Sequence, residues 1–432
     1  MEDTLPEIES QTFQKKHLQD IFSELQTTIE QAADTRDLEL IDDPLVRKAL
    51  SIVETFLRRK HRICYGGMAI NAHLPPKLKF YDFNKTLPDY DFFTPAANED
   101  VEELLYQLHT SGLTDAVARV GIHEGTTKIF VNYTGVADIT EMPIWLYTTL
   151  YKRSIKDDGI TYADADFLRM NMYLELSRPR GEVERWEKVY KRLLLLNAAK
   201  SPEKCGDGKG KLTHVNPQIH ASIIEYISNK QLIFVGSELK RVYANPTSLA
   251  AGYILKSTSP VVAYASTPDY HVATIRQLVR EHEPDANVQT VHWKARGEML
   301  PELYGVLLNG RVIVLLIQEG YCHAYNTVSL PNKKQLRIAS LDTAITLYYT
   351  LSFVKGLDGI VPRSVHCFAN TLVDISRKTR DEGVPSKFPL FTTTCHGHQP
   401  TKISLLRAKA KRIASMKRKA KSPRTKTHKR PH

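Results

Sequence analysis

The 432-residue sequence contains no apolar run approaching the roughly 20 residues that a helix needs to cross a bilayer. Its first residues, Met-Glu-Asp-Thr-Leu, lack the basic-then-apolar layout of a secretory leader. Both absences argue against a membrane protein and imply a chain that stays in the cytosol unless imported. Cysteine is scarce: five residues, at 64, 205, 322, 367 and 395, odd in number and widely spread, so reduced thiols are expected rather than a disulfide framework. No Cys-x-x-Cys knuckle occurs. His366-Cys367 and Cys395-His-Gly-His398 supply the ligand types for zinc without that spacing, and no zinc site is expected there. Acidic residues are missing from Lys402 onward, where thirteen Lys or Arg fall; without them the chain's 59 basic residues drop to 46 against 48 acidic. The whole positive balance of +11 therefore lives in the tail.

What the chain does have is a core-forming composition, with 42% hydrophobic residues over a length that predicts two to three domains. Periodicity divides it. Residues 1–60 read as a helical region, in which Leu45, Val46, Ala49, Leu50, Val53, Phe56 and Leu57 form one apolar stripe before Arg58-Arg-Lys-His61. Residues 61–199 read as one α/β unit, with a helix at 99–110 and two further helices between Asp164 and Ala199 broken at Arg178-Pro-Arg-Gly181. Residues 200–218, with Ser201-Pro202 and Gly206-Asp-Gly-Lys-Gly210, read as a surface linker. A second α/β unit follows over 219–400, and 401–432 reads as a disordered basic tail.

Chemistry concentrates in the first unit. Ile63-Cys-Tyr-Gly-Gly-Met-Ala-Ile-Asn-Ala-His73 reads as a strand, a Gly66-Gly67 turn and a helix start, an arrangement whose backbone N–H groups can face an anion such as a triphosphate. In Leu87-Pro-Asp-Tyr-Asp-Phe-Phe93, a strand would project Asp89 and Asp91 from one face and Tyr90 and Phe92 from the other. Asp138 lies in a second short apolar run, where a neighbouring strand could set it beside that pair. Three hard oxygen ligands without clustered Cys or His favour Mg²⁺ or Mn²⁺ over Zn²⁺.

This order of Gly-Gly, Asp-x-Asp and a third Asp resembles the polymerase-beta-like nucleotidyltransferase superfamily. A narrower resemblance rests on Tyr65-Gly-Gly-Met-Ala-Ile-Asn71, Leu87-Pro-Asp-Tyr-Asp-Phe-Phe93 and the segment Ser177-Arg-Pro-Arg-Gly-Glu-Val-Glu-Arg-Trp-Glu-Lys-Val-Tyr-Lys-Arg192. These are similar to the poly(A) polymerase catalytic subunits of large nucleocytoplasmic DNA viruses, the poxvirus enzyme among them. The resemblance covers roughly 40–200. It implies a mixed sheet with flanking helices, Gly66 and Gly67 at the nucleotide phosphates, Asp89, Asp91 and Asp138 as catalytic ligands of two Mg²⁺ or Mn²⁺ ions, and ATP as substrate. The acceptor would be the 3′ end of viral mRNA, the partner a homodimer mate or a processivity subunit, and the place the host cytoplasm at the virus factory, or the virion. Many superfamily members carry Gly-Ser at the turn; Gly67 departs from that and leaves phosphate contact to backbone amides and basic side chains. Other readings are a second-messenger synthase or tRNA-end nucleotidyltransferase of the same superfamily, or a noncatalytic RNA-binding subunit.

Beyond the linker the layout is expected to repeat as a degenerate nucleotidyltransferase-like domain. Gln231-Leu-Ile-Phe-Val-Gly-Ser-Glu-Leu-Lys-Arg-Val242 matches the strand, turn and helix, Pro260-Val-Val-Ala-Tyr-Ala265 the Asp-x-Asp strand, and Arg311-Val-Ile-Val-Leu-Leu-Ile317 the third strand. Ala263 and Ala265 are expected at the acid positions. In the tail, Lys417, Arg418, Lys419 and Lys421 are candidate RNA contacts through non-specific phosphate attraction, with a nuclear import signal as the competing reading.

Overall fold

A computed structural model describes residues 43–81, 89–205, 215–244, 250–296, 299–354, 357 and 362–421, with six positions between 21 and 28. The helical reading of 1–42 lies almost wholly outside these residues, as do linker positions 206–214 and tail positions 422–432.

Helix α1 (Pro44–Lys60) starts where its residues dictate: Asp43 accepts from the N–H groups of Leu45 and Val46, and Pro44 opens the first turn. Arg58, Arg59 and Lys60 stand at its negative end. Its stripe is buried from Val46 to Leu57, whereas Leu45 lies on the exposed side. The chain continues through β1 (Ile63–Cys64), α2 (Gly66–His73), β2 (Tyr90–Thr94), α3 (Ala97–Thr110), β3 (Val117–Val120), β4 (Thr126–Val131) and β5 (Thr134–Glu141). Then follow α4 (Ile144–Tyr151), β6 (Ile155–Asp157), β7 (Ile160–Tyr162), α5 (Ala165–Leu176) and α6 (Trp186–Ala199). The seven strands form one mixed sheet in the order β3-β4-β5-β2-β1-β7-β6.

The second stretch holds α7 (Pro217–Asn229), β8 (Ile233–Phe234), α8 (Leu239–Ala244), α9 (Ala250–Leu255), β9 (Val261–Ala265), α10 (Pro268–His282), β10 (Val288–Trp293) and β11 (Leu303–Leu308). After these come β12 (Arg311–Gln318), β13 (His323–Ser329), β14 (Gln335–Ala339), α11 (Leu341–Phe353), α12 (Pro362–Arg380), β15 (Cys395–His396) and α13 (Lys402–Lys421). Its sheet order is β10-β11-β12-β9-β8-β14-β13-β15. With β15 set aside this is the first order strand for strand, and each corresponding pair keeps the same parallel or antiparallel sense.

Register corrects one detail of the repeat. Cys64 pairs with Phe92 and Phe234 with Ala263, so Ala263 corresponds to Phe92, and Val262 to Asp91. Val262 in turn sits beside Leu315 as Asp91 sits beside Asp138. The acid positions thus hold Pro260, Val262 and Leu315, not Ala263 and Ala265, which correspond to Phe92 and Thr94; strand pairing fixes this register, and neither segment's sequence shows it. Lys128, opposite Asp138, is matched by Gly305, opposite Leu315. A Cβ at Gly305 would press on Val291 at 2.8 Å and the Trp293 ring at 3.0 Å, so apolar side chains fill the place where the first sheet keeps its charges.

The two stretches pack through α5 and α11. Phe167 meets Phe353 edge-on at 5.4 Å, Arg153 lies 4.3 Å over the Phe353 ring, and His366 reaches Asp166 at 2.7 Å. Asp342, almost fully buried, takes a two-pronged contact from Arg380 at 2.7 and 2.8 Å, the geometry that best compensates a buried carboxylate.

Two further expectations fail. Cys205 is bonded to Cys367 and Cys322 to Cys395, leaving Cys64 as the buried free thiol. The partners lie 162 and 73 residues apart, a pairing that spacing cannot reveal. Cys367 and Cys395 therefore belong to different bridges. Likewise 402–421 is helix, not disordered tail: Lys, Arg, Ala and Leu are strong helix formers, and no Pro intervenes before Pro423.

Two histidines, His220 fully buried and His323 partly buried, make stability depend on pH. Burial pushes His220 down to about 4, and burial together with Arg178 and His396 pushes His323 down to about 3. An unfolded histidine takes its proton near pH 6.5 whereas these do not, so their stabilising contribution is complete above 6.5 and is lost progressively as pH falls toward 4 and 3. A His220→Leu/His323→Phe variant is expected to show a flatter decline of urea unfolding free energy between pH 7 and 5. An unchanged slope would show that other groups carry it.

Candidate active site

The β1–α2 turn is built against the acid strand. Tyr65 N–H donates to the Asp91 carbonyl at 2.9 Å, and Gly66 follows with φ +69°, a left-handed conformation that suits glycine. Any Cβ at Gly66 would also overlap the Asp91 carboxylate, whose Cγ would stand only 3.3 Å away. No side chain caps α2, so its first amides are open toward this carboxylate and able to receive an anion. The turn and the acid therefore constrain each other directly.

Asp89 stands immediately before β2, and Asp91 lies within it as the register partner of Asp138 on the parallel strand β5. Tyr90 points the other way, where its hydroxyl donates to Glu54 at 2.6 Å. Lys128, from β4, forms an ion pair with Asp138. On the same face Tyr65 stacks on Phe93 with centroids 3.9 Å apart, and its hydroxyl is hydrogen-bonded to that of Thr140 at 2.9 Å. Thr140 is bonded to Thr126 at 3.0 Å, which fixes β5 against β4 beside the acids.

Burial raises the Asp91 carboxyl from 3.8 to about 7, helped by the charges of Asp89 and Asp138 and opposed by Lys128 and Arg192. Asp138 is raised too, chiefly by burial, with Lys128 pulling it back. A divalent cation relieves the cost of burying such neighbouring carboxylates, and the donor set is the oxygen type that Mg²⁺ or Mn²⁺ prefers. As placed, no group of three His, Cys, Asp or Glu side chains among the described residues is gathered closely enough to hold a metal ion. Lys128 takes up Asp138 instead.

Opposite the acids runs a basic face that the motifs did not reveal. Arg185, in a 3-10 turn, and Lys188 and Arg192, on α6, recur at helical spacing. Asp91 lies close enough to help raise Arg185, Arg192 to lower Asp91, and Asp89 to act on Lys188. Lys188 itself is lowered, first by burial and then by Arg192 and Arg185. Spacing alone could have marked this row, since 185, 188 and 192 share one helix face. Tail residues Lys417 and Arg418 are exposed on α13, and Lys419 and Lys421 lie in the same helix. Arg412 docks that helix on the β3–β4 loop, donating to the Ile122 carbonyl at 2.9 Å.

The mixed sheet, the glycine turn at a helix start and the acids on neighbouring strands are the arrangement that the motif resemblance implied. Residues 51–182 match the family model described as "Poly(A) polymerase catalytic subunit", which bears out the resemblance read from the motifs. A protein assigned as a poly(A) polymerase catalytic subunit in Acanthamoeba polyphaga mimivirus is 28% identical over 192 residues, covering 43% of this chain and 32% of that protein. One so assigned in African swine fever virus (isolate Pig/Kenya/KEN-50/1950) is 29% identical over 134 residues, covering 31% and 28%. The chain thus spans about a third of the length of the curated relatives it matches. The crystal structure of the Megavirus polyadenylate synthase superposes with a TM-score of 0.73 at 20% identity over 95% of this chain and 85% of that one, a likeness of fold that extends through both sheets.

The like charges predict a stability cost. Because the folded-state value of Asp91 is raised, its contribution is complete below about pH 4 and lost as pH rises through 7. With divalent ions chelated, Asp91→Asn should stabilise the protein at pH 8 by roughly 1–3 kcal/mol, a gain that shrinks toward pH 4. Chemical denaturation at both pH values checks this; a variant less stable than the parent at pH 8 would refute it.

Proposed function

We propose that this chain is a template-independent polynucleotide adenylyltransferase that adds AMP from ATP to the 3′-hydroxyl of RNA and so makes the poly(A) tails of viral mRNA. The observation that carries the reading is the placement of Asp91 against both the glycine turn and Asp138, on a fold shared with a polyadenylate synthase. Gly66, Gly67 and the open amides of α2 receive the triphosphate, which the basic face of α6 helps to neutralise. Asp89, Asp91 and Asp138 are the residues that would hold two divalent ions, which would supply a lower pKa for the attacking hydroxyl and offset charge on the departing pyrophosphate. Lys128 yields Asp138 to that role and keeps its charge beside the reacting phosphate. The basic residues of α13 retain the RNA between additions, alongside a second copy of the chain or a processivity subunit.

Purified protein with labelled RNA, Mg²⁺ or Mn²⁺ and each nucleotide separately should give a ladder with ATP. Asp89→Ala, Asp91→Ala and Asp138→Ala should each slow it by at least about a hundredfold. Near parental rates in any of the three would remove that residue from the site. Neutralising Lys417, Arg418, Lys419 and Lys421 should weaken RNA binding and flatten its salt dependence by roughly 0.7 in log–log slope for each phosphate that the helix ceases to neutralise. An unchanged slope would place the RNA elsewhere.

A further inference from the structure

The Gly66–Gly67 turn offers a phosphate no side-chain donor, and Tyr81 stands where one from position 67 would reach. A Cβ on Gly67 would overlap the Tyr81 hydroxyl oxygen and come within 2.9 and 3.0 Å of two ring carbons. The tyrosine is held from both sides. Asn71, buried one turn along α2, accepts from the backbone N–H groups of Phe80 at 2.9 Å and Tyr81 at 3.2 Å, which fastens this segment to the helix that opens the site. Arg192 donates to the Tyr81 oxygen at 3.1 Å, with its guanidinium 5.0 Å from the Phe80 ring centre and 5.9 Å from that of Tyr81. Since the phenol oxygen is occupied as an acceptor, its proton is left for another oxygen. Arg192 beside it suits an anion, and the acids Asp89 and Asp91, which also act on it, place it at the edge of the acid cluster rather than away from the site.

We propose that Tyr81 is a substrate-binding residue whose hydroxyl donates to the phosphate tail of the incoming nucleotide, with Arg192 and Asn71 as the residues that position it. This rests on the nucleotidyl-transfer reading above and names a phosphate contact that the two glycines cannot provide. Tyr81→Phe keeps the ring and removes the donor. It should raise the KM for ATP about tenfold, with kcat within about a factor of two, as for loss of one hydrogen bond to a charged group. Inorganic tripolyphosphate, which carries the tail without the base, should become a weaker competitor in the same proportion. Gly67→Ser in a Tyr81→Ala background, which supplies a hydroxyl at the vacated place, should recover part of the lost affinity relative to Tyr81→Ala alone.

An unchanged KM in Tyr81→Phe would overturn the proposal. So would a raised KM for ATP with undiminished tripolyphosphate competition, since the ring would then be reading the base, and so would no recovery in the double variant. A parent protein that neither extends RNA nor binds ATP or tripolyphosphate in direct titration would overturn the functional reading itself, an outcome distinct from failure of the Tyr81 variants in an active parent.

Discussion

Burial of carboxylates beside one another is the constraint that the first sheet has to meet. Asp91 and Asp138 face each other across a parallel pair, half-buried, with Asp89 close by. Each neighbouring element supplies something that offsets this: Lys128 from β4, the uncapped start of α2, and Arg192 from α6. The sheet provides the rigidity needed to hold such charges together, because strand register fixes the two acids regardless of their mutual preference.

The second sheet shows the same backbone relieved of that demand. With Val262 and Leu315 at the acid positions and Trp293 packed over Gly305, its face is apolar where the first is ionic. Both sheets lead into a helix opened by a capping side chain, Asp164 before α5 and Ser340 before α11, and those two helices form the seam between them. Topology is thus independent of the chemistry it displays. The backbone that places Asp91 and Asp138 side by side in one sheet builds a packing partner in the other.

Much of the first sheet was legible because its signals are local. The strand, the glycine turn and the helix at 63–73, and the alternation at 89–91, are read from adjacent residues. The repeat was legible too, down to which segments correspond, although its register, which strand pairing sets, was not. What escaped depends on distant positions. Cys205 and Cys367 meet from 162 residues apart, and Tyr81 approaches Gly67 because Asn71 folds the segment back onto the helix. Helix α13 differs again: its charge resembles that of a disordered arm, yet most of its residues favour helix and several apolar ones recur along it.

The disulfides alter the chain as a covalent object. Their order, 205 with 367 and 322 with 395, makes two overlapping rings. A single break in the backbone anywhere between 205 and 395 leaves at least one bridge spanning the cut. While the bridges stay oxidised, a protease that nicks any one loop of the second sheet therefore yields a molecule whose pieces stay covalently joined, and they part only on reduction.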